Sequence, residues 1–79
     1  MRIQLSLYAS LASHLPEKGG GNSCTLEVQE GTAVRDILGQ LKIGLDVPKI
    51  IFLNGLHAGF DDVLKNGDRL AVFPPIAGG

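Results

Sequence analysis

The amino-acid sequence predicts an α+β domain in which one main helix packs across one face of a mixed β-sheet. Two observations support this prediction: polar and apolar residues alternate near both ends of the chain, and a single long helical stripe lies between them. The length of 79 residues sets a limit, because such a domain buries only roughly 60% of the surface that its unfolded chain exposes. We therefore expect one domain over residues 1–79 with one small core.

The composition is that of a globular protein, with 44% hydrophobic and 19% charged residues. A formal net charge of -1 and the lack of a basic stripe argue against nucleic acid as a partner. The first ten residues lack the continuous apolar region of a signal peptide, and no segment has the length of a membrane span. We expect a cytoplasmic protein without membrane contact, and the single cysteine, Cys24, agrees with a reducing compartment.

The N-terminal third predicts two strands separated by a short helix and a loop. Residues 2–8 alternate, which predicts a strand whose buried face carries Ile3, Leu5 and Leu7. A helix of about two turns, ended by Pro16, is predicted from the spacing of Tyr8, Leu11, Ala12 and Leu15. Glycines at 19–21 then lead into a strand pattern from Thr25 to Val28. The Lys-Ser/Thr pair of a phosphate-binding loop is missing there, which favours a plain surface loop.

The main helix is predicted from an i, i+3, i+4, i+7 stripe formed by Val34, Ile37, Leu38 and Leu41. Thr32 precedes this stripe and is well placed to cap the first turn. Burial of each stripe residue would stabilise the fold by up to roughly 1.5 to 3 kcal/mol, so the stripe should supply a large share of the core. Since no second helix of comparable length is predicted, the stripe has to pack on the sheet.

The C-terminal half predicts two further strands joined by short turns. Lys49 to Leu53 is rich in strand formers, and Asn54-Gly55 follows as a turn signal that tolerates positive φ at both positions. A single helical turn is predicted around Phe60 and Leu64, and a tight turn over 66–68 leads into a last strand from Arg69 to Phe73. This element order is that of a ubiquitin-like β-grasp roll, in which the first and last strands lie side by side at the centre of the sheet.

The domain itself offers little catalytic apparatus, with two histidines and no CxxC or HExxH spacing. His14 is expected to be exposed, and Cys24 is expected to be a buried structural thiol. Three aspartates are interpreted as turn and helix-start residues, because the ligand pattern of an EF-hand loop is missing: Asp61, Asp62 and Asp68. We expect no catalytic residue, no metal site and no bound cofactor within the domain.

The C-terminal segment 74–79 differs in composition from the strand before it and is expected to be a flexible arm. Its two prolines favour an extended path, and six residues at about 3.1 Å each would carry the Gly79 carboxylate roughly 19 Å beyond the fold. Small residues at the tip let the walls of a partner site close around the backbone. Insertion into another protein is therefore predicted for Pro74, Pro75, Ile76, Ala77 and Gly78. Terminal glycines also occur as plain disordered ends or expression remnants, and this alternative stays open here.

The segment from Asn66 to Gly79, NGDRLAVFPPIAGG, resembles the ending of MoaD proteins, the small subunits of molybdopterin synthase. The resemblance extends through Leu53-Asn54-Gly55, the helix from Thr32 to Leu41 and the first strand, so it covers essentially the whole chain. The related ThiS proteins, which serve thiazole synthesis, usually lack the Pro-Pro pair before their glycines. The chain is identified by this resemblance as a member of the MoaD/ThiS family that is closest to MoaD.

The resemblance implies a sulfur carrier that has no catalytic activity of its own. A MoeB-type enzyme would use ATP to adenylate the Gly79 carboxylate, and sulfur from a donor protein would then replace AMP. The resulting thiocarboxylate would donate sulfur to a cyclic pyranopterin on a MoaE-type large subunit, within a heterotetramer. Activation is needed because a resonance-stabilised carboxylate is a poor electrophile with a poor leaving group.

The family also uses apolar residues around the tail to dock its partners, and the matching positions are Tyr8, His57 and Phe73. His57 departs from the usual apolar residue, so an exposed turn histidine without a docking role is an alternative. Phe73 is opposite in parity to Leu70 and Val72, which favours a partner surface over the core.

Two other functions remain open at this stage. The same carrier chemistry serves other pathways, namely thiazole, cysteine or a tungsten cofactor. The fold and the diglycine end also suit a ubiquitin-like protein modifier or a plain interaction domain.

Overall fold

The computed structural model describes residues 1–15, 22–47 and 49–75. Within these ranges the chain forms a five-stranded sheet, one α-helix and one 3₁₀ helix. The strands are β1 (Arg2–Leu7), β2 (Ser23–Glu27), β3 (Ile50–Leu53), β4 (Leu56–His57) and β5 (Arg69–Phe73). The α-helix, α1, is Val34–Gln40, and the 3₁₀ helix is Ala9–His14. None of the helices in the described ranges is long and apolar enough to cross a membrane.

The sheet is mixed, with the strand order β2-β1-β5-β3-β4. β1 and β5 pair in parallel, whereas the other neighbouring strands pair antiparallel. The parallel register places Leu5 beside Leu70 and Leu7 beside Val72, so the buried parities of the two strands coincide. The prediction that the first and last strands lie together at the centre of the sheet is confirmed.

The hydrophobic core lies between one face of the sheet and α1. Its most deeply buried side chains are less than 2% exposed and are contributed by β1, β5 and the helix: Ile3, Leu5, Leu7, Leu70, Val72, Val34, Ile37 and Leu38. The alternation of β1 and the stripe of α1 therefore meet in one cluster. The predicted α+β class, a mixed sheet with one main helix across one face, is confirmed. Cys24 is buried at the edge of this cluster, as predicted.

The start of α1 differs from the prediction. Ala33, not Thr32, is the N-cap residue, and the Thr32 hydroxyl donates to the Gln29 carbonyl oxygen at 2.7 Å. The Asp36 carboxylate instead accepts the Ala33 N–H at 2.9 Å, and its charge is favourable in the first turn of a helix. The prediction that Thr32 caps the helix is therefore wrong, because its hydroxyl is bonded within the turn before the helix.

The helix predicted from Tyr8 to Leu15 is a shorter and tighter 3₁₀ helix. Leu11 and Leu15 are buried as their spacing suggested, but Ala9 adopts a positive φ of 52° where the chain turns away from β1. The expectation that His14 is exposed is wrong, because the side chain is half-buried and its Nδ1 lies 2.9 Å from the Leu41 carbonyl oxygen. This contact links the 3₁₀ helix to the end of α1.

The turns of the C-terminal half are tied together by side-chain carboxylates and amides. Asn54 and Gly55 have φ values of 53° and 83°, as predicted, and the turn creates the two-residue strand β4, which was not predicted.

The helical turn expected around Phe60 is instead a turn followed by an isolated bridge between Ala33 and Val63. The predicted turn role of Asp68 is confirmed, since its carboxylate accepts the Lys65 N–H and the Asn54 side-chain amide.

Candidate functional site

The C-terminal segment leaves the fold from β5, between β1 and β3. Phe73, the last residue of β5, pairs with Ile50, and the Tyr8 N–H donates to the Val72 carbonyl oxygen at 3.2 Å. Pro74 is half-buried and Pro75 is exposed. The predicted insertion residues Ile76, Ala77 and Gly78 and the predicted cargo residue Gly79 lie outside the described residues. The structure therefore fixes the point from which this segment starts.

Four side chains form an aromatic face beside this exit: Tyr8, Phe52, His57 and Phe73. The rings of Tyr8 and Phe73 are stacked, with centroids 4.3 Å apart and planes 2° from parallel. Phe52 meets Phe73 edge to face at 5.7 Å and 88°, and it meets the His57 ring at 4.5 Å. These separations are those of favourable ring pairs, so the four rings form a continuous surface.

The register of the sheet explains why these rings meet. Residues directly opposite each other on paired strands share a face, and Phe52 lies opposite both Ala71 on β5 and His57 on β4. Phe73 is two residues after Ala71 and so returns to the same face. This face is opposite the one that carries Leu70 and Val72, and α1 leaves it uncovered.

The aromatic face is accessible to solvent. Tyr8, Phe52 and Phe73 are half-buried, and His57 is exposed. Apolar side chains grouped in this way mark an interaction surface more often than isolated exposed residues do. The alternative that Phe73 belongs to the core does not fit its position on the outer face.

The structure brings together the three residues that resemblance selected, Tyr8, His57 and Phe73, and it adds Phe52 between them. Sequence analysis missed Phe52, because it was only one strand-forming residue among the five from Lys49 to Leu53. Its parity opposite the buried Ile51 was the available signal, but its contacts depend on strand register.

The same outer face is polar at the opposite end of β1. Arg2 and Glu27 form an ion pair at 2.9 Å in which both side chains are largely exposed, so we expect it to contribute little to stability. The Ser6 and Ser23 hydroxyls lie 2.9 Å apart between this pair and the aromatic face. Apolar surface is therefore concentrated where the chain leaves the sheet.

A shallow cavity of about 300 Å³ adjoins the aromatic face and is lined in part by Lys49, His57 and Phe60. The Lys49 ammonium lies 5.3 Å from the Phe60 ring centroid and donates to three backbone carbonyl oxygens, those of Gly44, Leu45 and Val47. Burial lowers the pKa of Lys49, and the Asp46 carboxylate partly offsets this effect. Since its donors are already used by the loop, Lys49 is not a candidate for binding a ligand carboxylate.

No group of three or more His, Cys, Asp or Glu side chains in the described ranges is placed to hold a metal ion. The carboxylates of Asp62 and Asp68 serve the backbone instead, whereas that of Asp61 pairs with the Arg35 guanidinium. Asp62 accepts the Gly59 N–H at 2.7 Å, and Asp68 accepts the Lys65 N–H at 2.8 Å. What this part of the chain offers is the exit of the C-terminal segment from β5 beside an apolar surface.

Comparison with known proteins agrees with this arrangement, which is the ubiquitin-like β-grasp fold of ThiS/MoaD-type sulfur carriers. The model of the ThiS family matches residues 11–79, and the chain belongs to that family. No curated protein matches the sequence.

Three solved structures illustrate the similarity. SAMP1 from Haloferax volcanii is 24% identical, with a TM-score of 0.72 and coverage of 100% of both chains. A Pyrococcus furiosus protein named for molybdopterin converting factor, subunit 1, is 26% identical, with a TM-score of 0.69 and coverage of 95% of this chain and 98% of that one. A chain from a complex of subunits 1 and 2 of the Helicobacter pylori molybdopterin-converting factor is 16% identical, with a TM-score of 0.64 and full coverage of both. The first and third of these similarities establish the fold alone.

Proposed function

We propose that this protein is a cytoplasmic sulfur carrier of molybdenum cofactor biosynthesis and acts as the small subunit of molybdopterin synthase. The observation that carries the proposal is the exit of Pro74-Pro75 from the central strand β5 directly beside the aromatic face. An arm that starts there extends from a surface able to bind a partner. The sequence FPPIAGG and the 26% identity to the Pyrococcus furiosus protein support the molybdopterin pathway over others.

In the proposed cycle, the Gly79 carboxylate attacks the α-phosphate of ATP on an activating enzyme, which gives an acyl adenylate and releases pyrophosphate. The terminal sulfur of a persulfide on a donor protein then attacks the acyl carbon, and AMP leaves. A thiol cleaves the S–S bond of the resulting acyl disulfide, which forms a disulfide and releases the Gly79 thiocarboxylate. The thiocarboxylate donates its sulfur to a pyranopterin bound on the large subunit. The chain supplies the acyl carbon and the docking surface, whereas its partners supply ATP binding and catalysis.

The proposed partners are a MoaE-type large subunit, a MoeB-type adenylating enzyme and a sulfur donor protein. Support for the large subunit comes from the Helicobacter pylori complex, in which a chain of the same fold is assembled with subunit 2. We propose that Tyr8, Phe73 and Phe52 contact both the adenylating enzyme and the large subunit in turn, since half-buried aromatic groups are typical anchors of protein interfaces. His57 extends the same surface.

The test is reconstitution of the chain with an adenylating enzyme, ATP and a sulfur donor, followed by intact-mass measurement. We expect one terminal oxygen to be replaced by sulfur, and addition of a MoaE-type subunit with its pterin precursor should give a dithiolene pterin. Deletion of Gly79 should abolish thiocarboxylate formation. The matched control is Gly59→Ala, because this exposed glycine has no atom within 4 Å of an added Cβ. A wild-type mass that never changes would refute the carrier function.

Two alternatives keep the same fold. A carrier for thiazole, cysteine or a tungsten cofactor would form the thiocarboxylate but give no dithiolene pterin with the MoaE-type subunit. The likeness to SAMP1, described as a small archaeal modifier protein, favours a ubiquitin-like modifier as the second candidate. In that case, mass spectrometry of cell extracts would find Gly79 joined to lysines by isopeptide bonds.

A further inference from the structure

We propose that Tyr8 and Phe52 are positioning residues, which hold the Phe73 ring and thereby set the direction in which Pro74-Pro75 leave the sheet. This inference rests on the proposed function, in which Gly79 has to reach the active site of a partner. It goes beyond docking, because it assigns the rings a role in the chemical step after the partner is bound.

The geometry of the ring contacts carries the first step. Tyr8 covers one face of the Phe73 ring in a parallel stack at 4.3 Å, while Phe52 meets Phe73 nearly at a right angle. Two contacts in perpendicular planes restrict both the tilt of the Phe73 ring and its rotation about χ1. A single neighbour would leave one of these motions less restricted.

The backbone transmits this restriction to the arm. Phe73 is the last residue paired in the sheet, opposite Ile50, and the two residues after it are prolines. Proline fixes φ near −65°, and it also restricts the residue before it, so Phe73, Pro74 and Pro75 form a run of three stiff positions. The backbone direction set at Phe73 therefore also sets the direction of Pro74 and Pro75.

The same three rings are not needed for the core. The core cluster of the described residues contains none of them, although Leu7 and Val72, the chain neighbours of Tyr8 and Phe73, are fully buried. Loss of a ring contact should therefore leave the fold intact. A role at the exit also accounts for a parallel stack between the residue that follows β1 and the last residue of β5.

Positioning and docking make different kinetic predictions. A residue that only docks the partner changes KM, and saturation with partner restores the full rate, whereas a residue that orients the reacting group also lowers kcat. A backbone position that the ring contacts no longer hold has to be fixed when Gly79 reacts, which costs about 1–2 kcal/mol and corresponds to a roughly 5- to 30-fold lower rate.

The experiment measures pyrophosphate release by the adenylating enzyme over a range of carrier concentrations that reaches saturation. Tyr8→Leu and Phe52→Leu should each lower kcat roughly 5- to 30-fold, whatever they do to KM. Tyr8→Phe keeps the stacked ring and should restore most of kcat. Thr25→Ala, an exposed change on the polar strand β2, is the matched control and should leave kcat unchanged. An unchanged kcat in both leucine variants would overturn the proposal.

A second measurement needs no enzyme and separates this inference from the proposed function. Ile76 is the first residue after Phe73 with a backbone N–H, because both residues between them are prolines. Its ¹⁵N order parameter in the free chain should be lower in Tyr8→Leu and Phe52→Leu than in the wild type and in Thr25→Ala. If the wild type is never adenylated, the proposed function fails, but the order parameters still test the positioning role. Equal order parameters in the wild type and in the three variants would reject that role.

Discussion

Replacement of Asp68 by alanine should destabilise the fold more than any other single aspartate replacement among the turns of the described chain. Asp68 is 8% exposed, and its carboxylate accepts the Asn54 side-chain amide at 3.0 Å and the Lys65 N–H at 2.8 Å. The side-chain Oδ1 of Asn54 in turn accepts the Arg69 N–H at 2.9 Å. The carboxylate thus joins the β3–β4 turn to the start of β5.

The loss of stability expected for Asp68→Ala follows from these contacts. Hydrogen bonds to a charged group contribute about 1.5–3 kcal/mol each, and Asp68→Ala removes two of them. Asn54 and Lys65 are exposed, so water can replace the carboxylate as the acceptor for their N–H groups. We therefore expect a smaller loss, about 2–4 kcal/mol in the free energy of unfolding. For a domain of this size, that loss lowers Tm by roughly 10–25 °C.

The assay is urea denaturation monitored by circular dichroism, with the slope of the transition compared between variants. The matched control is Asp62→Ala, since Asp62 is exposed and accepts only one backbone N–H, that of Gly59, among the described contacts. We expect the control to lose less than about 1 kcal/mol. Equal midpoint shifts for the two variants would refute the argument that burial and bridging make Asp68 special.

Two further predictions concern the core and the aromatic face. Leu5→Ala should lower the free energy of unfolding by about 2–5 kcal/mol, because Leu5 is 0% exposed. The control Leu56→Ala should change it by less than about 0.5 kcal/mol, because Leu56 is 73% exposed. Thermal melts of the two variants measure the difference. Phe73→Ala should weaken binding to a MoaE-type subunit by roughly 30-fold or more in calorimetric titration, while Thr25→Ala should not, and equal affinities would remove Phe73 from the interface.

The aromatic face and the exit form one unit because β5 is central. Its parallel pairing with β1 brings Tyr8 beside Phe73, and its antiparallel pairing with β3 brings Phe52 to the other side. An exit from an edge strand would have a neighbour on one side only. The central position therefore places an aromatic side chain on each side of Phe73, where the C-terminal segment leaves the sheet.

Some elements were predictable because their signals are local. The parity of Ile3, Leu5 and Leu7 and the stripe of α1 follow from fixed side-chain periods, and both are confirmed by burial. Asn54-Gly55 was predictable for the same reason, since few residue pairs accept positive φ at two successive positions. These features need no knowledge of the rest of the chain.

Other features gave no usable signal. β4 has two residues and so shows no period, and its pairing is imposed by the turn before it. Thr32 appeared to be a cap because its residue type suits that position, but its hydroxyl donates to Gln29 in the preceding turn. His14 appeared exposed because its partner, the Leu41 carbonyl oxygen, is far away in sequence.

The sequence by itself determined the α+β class and the face that each long element buries, because backbone preferences and side-chain periods act over a few residues. The family and the candidate arm after β5 came from the resemblance of the segment from Asn66 to Gly79 to known proteins. Only the tertiary structure decided that Phe52 joins Tyr8 and Phe73, that Asp68 is buried and that the arm starts from stacked rings. The most distant of these contacts, between Tyr8 and Phe73, joins residues 65 positions apart in the sequence. They depend on strand order and register, which no local pattern specifies.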